Sequence, residues 1–394
     1  MNKRNRMKYV FASVSFVLAA LGSKVSLAYW ASAVLGSNSN STGTVTSGTW
    51  DRYSTGTAVN TCANLQTMLQ ANTSSTYYLT TNLSCPTTTL TTNARTFSGT
   101  FYGNGYTISN IAMTNGRPAL FYNINGATIQ NLILDNVDVG TSSSRVTAAA
   151  GGILASTTSG TGNQISKIRI YNSTVYANTK NGAGGILGRA SSGTTISNVM
   201  LQNVIVNNSN TGTSSGAGGI VGKMSATVDI SDVYFEGSLS SPYNSGGIVG
   251  NIDNATGSLL SVSRAVTFAN TSFRATSGYA GGIVGRNQRT ASHSLTDVFF
   301  TGALYAASSR AGTIYNGTAM TYTNAWAAQW SWDNTPAIAY TAMTGTSANY
   351  TTNYEDYRSS LDTTWWATNL SNIASLGPWT YDSSTYLYEL KPKV

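Results

Sequence analysis

The chain has 394 residues and a formal net charge of +8, and only 9% of its residues are charged against about 25% in average globular proteins. Five of its 22 basic residues fall in the first 24 positions, leaving 17 bases against 14 acids, and no basic patch interleaved with aromatics follows, which argues against nucleic acid as a partner. A single histidine and two cysteines exclude a zinc site.

Residues 1–28 read as an export signal. Lys3 to Lys8 form a basic start and Tyr9 to Leu21 an apolar run, and Ser26-Leu27-Ala28 supplies small residues for cleavage. The apolar run is shorter than the roughly 20 residues a membrane span needs. The expectation is a secreted, extracellular or surface-associated protein with no membrane span in the mature chain. Residues 29–58 are rich in Ser, Thr, Gly and Asn and read as a linker.

Residues 59–100 read as an N-terminal cap. Ala63 to Ala71 predicts a short helix with Leu65, Met68 and Leu69 on one side, and the Tyr77–Leu79 and Leu83 regions predict strands. In an exported protein Cys62 and Cys85 are expected to pair as a disulfide, two buried thiols being the alternative.

Residues 101–317 carry a repeat. Gly-Gly-Ile-Leu-Ala starts at Gly151 and Gly-Gly-Ile-Leu-Gly at Gly184, and Gly-Gly-Ile-Val-Gly starts at Gly218, Gly246 and Gly281, at intervals of 33, 34, 28 and 35 residues. Fainter copies begin at Pro118 and Ala311. A period in this range signals a repeat architecture. Each period holds three short apolar runs bounded by Gly, Asn, Ser or Thr, such as Ile196–Leu201, Val204–Val206 and Ile220-Val221. Runs this short predict strands, three to a turn, stacking in parallel. Glycine serves where a corner needs positive φ or where neighbouring coils approach closely, which assigns structural roles to Gly151, Gly152, Gly184, Gly185, Gly218, Gly219, Gly246, Gly247, Gly281 and Gly282. Ile153, Ile186, Ile220, Ile248 and Ile283 are expected to stack as an inner column. A second column aligns Asn110, Asn131, Lys167, Asn198, Asp232, Arg264, Asp297 and Asn324 in an Ile-x-Asn-Val-like frame, a candidate polar ladder.

Residues 318–394 hold six of the eight tryptophans and read as an aromatic C-terminal cap. A cap would close the open end of the stack. The alternative is a glycan platform formed by Trp326, Trp365, Trp366 and Trp379, because exposed aromatics stack on sugar faces.

The string Phe97-Ser98-Gly99-Thr100-Phe101-Tyr102-Gly103-Asn104-Gly105-Tyr106-Thr107-Ile108, with the Gly-Gly-Ile-Val-Gly copies, resembles the GLUG-repeat family of bacterial surface and secreted proteins. Tyr102 and Tyr106 stand where that family usually has Asp and His. The resemblance implies an all-β fold, a right-handed, single-stranded parallel β-helix; the repeats in this chain give about eight coils between the two caps.

Acids are sparse in the repeats: Asp135, Asp138, Asp229, Asp232, Glu236, Asp253 and Asp297. Polysaccharide hydrolysis needs two carboxyl groups flanking one bond, and no dense cluster appears. His293 lacks the context of a nucleophile elbow and is expected at a surface or corner. No catalytic, cofactor-binding or metal residue is assigned. The expected role is non-enzymatic, adhesive or structural, with glycans, host or cell-surface components or further copies as partners. The alternatives are a polysaccharide-degrading β-helix enzyme (lyase or glycoside hydrolase) and an extracellular filament subunit that donates its N-terminal segment as a strand.

Overall fold

A computed structural model describes residues 52–86, 94–113, 117–147, 149–306, 311–312, 315–318, 320–329, 349–351, 361–375, 378–385 and 387–390. The export-type segment 1–28, the linker up to residue 51, and Trp330 and Trp332 lie outside the described residues.

The short apolar runs become strands that pair in parallel with their counterparts one repeat away. The longest strands include Thr194–Asn208, Val228–Ser241, Leu260–Ala275 and Ser294–Ala306. Their inward residues stack in register: Ile165 on Ile196, Ile196 on Ile230, Ile230 on Val262, Val262 on Leu295. All are buried. Three sheets of 14, 8 and 6 strands form the walls of a parallel β-solenoid.

The six-stranded sheet carries the glycine corner, from Gly151–Gly152 to Ala311–Gly312. The solenoid therefore has about six complete turns, not about eight. The longest wall starts earlier, at Thr57–Val59, but among the described residues its first coils show no corner strand. That wall also continues through Thr321–Gln329, past the boundary set at residue 317.

Two details of the repeat differ from the sequence reading. The Gly-Gly pairs do not adopt positive φ. Close approach is what requires them: a Cβ on Gly219 would sit 2.0 Å from the Gly247 carbonyl oxygen, and one on Gly247 2.1 Å from that of Gly282. The first copy is also shifted by one residue. Gly184 pairs with Gly152 rather than Gly151, and Leu187 with Ala155. The inner column is therefore Leu120, Leu154, Ile186, Ile220, Ile248 and Ile283, and Ile153 takes the place of a second glycine. One residue of slip exchanges the sides of a strand, yet both Ile153 and Leu154 remain fully buried at this corner.

At the N-terminal end helix α1, Cys62–Leu69, starts at Thr61, whose hydroxyl accepts from the Asn64 N–H. It buries Leu65, Met68 and Leu69. Cys62 and Cys85 form a disulfide with their Cα atoms 5.7 Å apart, tying this helix to the first coils.

Candidate functional site

The polar column marks a bend inside each long strand. Asn131, Lys167, Asn198, Asp232, Arg264, Asp297 and Asn324 all have φ between 51° and 60°. Asn and Asp tolerate this left-handed conformation better than other side chains. Asn110 does not belong to this column. Its neighbours Ser109 and Ile111 pair with Asp135 and Val137, so it stacks on Asn136. Asn136 donates to Asn110 Oδ1 at 2.7 Å, and Asn203 to Asn172 Oδ1 at 2.9 Å, which makes a second, shorter asparagine ladder. In the main column the alternating charges meet as a bidentate pair, Arg264 donating to Asp232 at 2.7 and 2.8 Å.

Immediately after this bend the wall is apolar on its outer side. Met200, Tyr234, Val266 and Phe299 are stacked in register on four successive rungs, pointing away from the tube. The C-terminal segment covers them. Helices α2, Thr363–Asn369, and α3, Ser371–Ser375, precede a hairpin of Trp379–Asp382 and Leu387–Leu390. Asp362 caps α2 by accepting from the Trp365 N–H at 2.8 Å. Leu361, Trp366, Leu370, Ile373, Leu387 and Leu390 then form one buried cluster with the outer column. The aromatic module is a lid on the side of the solenoid, which corrects the expected end cap.

The proposed glycan platform loses two of its four members. Trp366 is fully buried and packs 4.9 Å from the Phe299 ring, and Trp379 is buried too. Trp326 and Trp365 are half-buried and meet edge to face at 5.3 Å. Burial removes Trp366 and Trp379 from such a platform, while Trp326 and Trp365 keep part of their surface exposed.

Polar bonds fasten both edges of the lid. On one edge Trp379 Nε1 donates to Asp232 Oδ1 at 3.1 Å, and Asn372 donates to Asp297 Oδ2 at 2.6 Å while Asn324 donates to Asp297 Oδ1 at 2.8 Å. The ladder carboxylates are thus the lid's anchors. On the other edge two glutamates approach one hydroxyl: Tyr234 reaches Glu236 Oε2 at 3.3 Å and Glu389 Oε1 at 3.5 Å, and Gln202 donates to Glu389 Oε2 at 3.3 Å. Burial pushes Glu236 above the usual carboxylate range, and burial followed by the charges of Asp382 and Glu236 does the same for Glu389. Chemically this is the one arrangement of the described residues in which two carboxyl groups with raised affinity for protons share a partner. The sequence reading missed it because Glu389 lies more than 150 residues from Tyr234. A signal was present: Val199-Met200-Leu201 and Val298-Phe299-Phe300 are apolar without alternation, as in strands covered on both faces.

His293 is fully buried, not at the surface. Its Nδ1 accepts the Leu260 N–H at 3.0 Å, and its Nε2 has no hydrogen-bond partner among the described residues. Asn163 does the same work four coils upstream, accepting the Ala127 N–H. Burial, and then the nearby Arg289 charge, lowers the affinity of His293 for a proton. Among the described residues no group of three or more His, Cys, Asp or Glu gathers as a metal site, and no helix is long and apolar enough to cross a membrane.

Fold and lid together define a parallel β-solenoid with a side-docked aromatic module. A scan of protein-family models finds no match, and no curated protein matches. Among solved structures, a crystal structure from Bacteroides ovatus, provisionally described as an immunoglobulin A1 protease, is 13% identical. The alignment covers 86% of this chain and 92% of that one, with a TM-score of 0.44. That distance carries no statement about activity.

Proposed function

We propose that this chain is an extracellular, non-enzymatic, GLUG-like β-solenoid that works by contact, its outer faces engaging glycans, cell-surface components or further copies of itself. The observation that supports this most is how its carboxylates are used. Asp135 accepts from Asn172, Asp138 from Thr174, Asp232 from Arg264 and Trp379, and Asp297 from Asn324 and Asn372, while Asp253 pairs with Lys223 at 3.0 Å. Acids committed to structure are not free to flank a scissile bond. The Cys62–Cys85 disulfide suits an oxidising compartment. Screening the full chain on a glycan array and on cell surfaces tests the reading. Retention on a definable subset is expected; no retention anywhere, from particles that also do not self-associate, contradicts it.

A second reading, a polysaccharide-cleaving enzyme, draws on Glu236 and Glu389. A carboxyl held protonated beside a second carboxyl is what acid-assisted glycoside cleavage uses. Glu389, on the edge of the lid, and Glu236, on the wall it meets, both bond to Tyr234, which favours the structural role.

A further inference from the structure

The long strands continue past the bend into a second wall segment, which among the described residues lies outside the buried cluster formed with the lid. There Val175, Val206, Leu239, Phe273 and Leu304 point inward and are buried. The residues that follow them point outward and stack in register: Tyr176 on Asn207, Asn207 on Ser240, Ser240 on Arg274, Arg274 on Tyr305. We infer that this strip binds an acidic polysaccharide laid along the solenoid axis, an inference that rests on the contact reading above.

Charge and ring chemistry converge on that ligand. The Arg145 guanidinium lies 5.3 Å from the centroid of Tyr176 and donates to Asn207 Oδ1 at 2.6 Å. Arg274 lies 4.5 Å from the centroid of Tyr305. Arg274 and Tyr305 are both exposed. Neither arginine meets a carboxylate among the described residues, whereas Arg264 and Lys223 on other faces do. The adjoining column offers one acid, Asp138, and Thr174 already donates to it at 2.6 Å. The strip is therefore net positive.

Arg274, stacked on Tyr305, presents its edge donors to a planar carboxylate or a sulfate, while Arg145 spends Nη1 on Asn207 and the Ala177 carbonyl oxygen. The tyrosine rings offer faces to sugars, and Asn207 and Ser240 supply hydrogen-bonding groups between the two stations. Four rungs separate Tyr176 from Tyr305, roughly 19 Å at the inter-strand spacing. That length suits an extended oligosaccharide and is long for a monosaccharide. A peptide partner would call for a buried anchor pocket at its centre, and this strip is a flat wall.

The test uses the full chain passed over immobilised polygalacturonate, dextran sulfate, dextran and polyglutamate at low and high salt. Expected is salt-sensitive retention on polygalacturonate, dextran sulfate or both, which separates carboxylate from sulfate recognition, with no retention on dextran. Arg274→Gln should weaken this by about tenfold or more, and Arg145→Gln should weaken it too. Lys167→Asn, which removes a charge at the bend, should leave it unchanged. Thermal unfolding of each variant checks that the fold is intact. Retention unaffected in the Arg145→Gln, Arg274→Gln double variant, or equal retention on dextran, overturns the strip and leaves the contact reading standing. Retention on polyglutamate alone assigns the strip to an acidic protein and overturns the inference. No retention on any polymer also overturns it, and the glycan and cell-surface screen then decides the contact reading separately.

Discussion

Lys167 is exposed at φ +55°, in the position that Asn131 and Asn198 fill one coil before and after. A lysine there carries the steric cost of the left-handed region without an amide that bonds locally. Lys167→Asn is expected to raise stability by about 1 kcal/mol in denaturant unfolding. His293 makes the opposite case, a polar side chain that the fold needs. His293→Ala leaves the buried Leu260 N–H without an acceptor and should cost about 2–3 kcal/mol. Its lowered proton affinity means that its contribution is present above the ordinary value of 6.5 and is lost as pH falls below it. His293→Asn should keep the acceptor, as Asn163 does, and remove that part of the pH dependence of unfolding. The bend column was legible in the sequence because a left-handed position selects Asn and Asp and so repeats visibly. The one-residue slip at Ile153 and Leu154 was not, because either glycine of the pair aligns equally well as text. Asn110 was misplaced for a similar reason: two asparagine columns share the same local frame.

At the scale of elements, the lid is the part the sequence described but could not place. Its tryptophan density was plain, and its docking face was not, since Met200, Tyr234, Val266 and Phe299 are brought together only by strand register. Trp366→Ala removes the largest buried side chain of this interface and should cost about 3–5 kcal/mol. Loss of the lid's protection in limited proteolysis, with the solenoid still folded, is the expected form of that loss. The two glutamates at the lid edge make docking pH-dependent. Their values in the docked state lie above the ordinary 4.5, so docking is strongest below 4.5 and weakens as pH rises through the raised values. Asp382, held below 3.8 by Ser384, works in the opposite sense and only at lower pH, where its contribution is lost. Tryptophan fluorescence across pH should show lid docking tightening from neutral towards 4.5, and Glu389→Gln should flatten that response.

For the whole molecule, the repeat builds the architecture and leaves the outer residues free to vary. Each coil stacks an apolar interior on its neighbours, so the wall tolerates varied residues outside while the glycine corner stays fixed by close backbone approach. One outer wall segment is spent on the lid and another carries the Tyr176–Tyr305 strip. We propose that this molecule holds its ligand without cleaving it. The direct measurement is prolonged incubation of the full chain with polygalacturonate, following both retention of the polymer and the appearance of new reducing or unsaturated ends. Retention with no new chain ends is the expected result. New ends that disappear in Glu236→Gln or Glu389→Gln would contradict the account and make the carboxyl pair under the lid an active site.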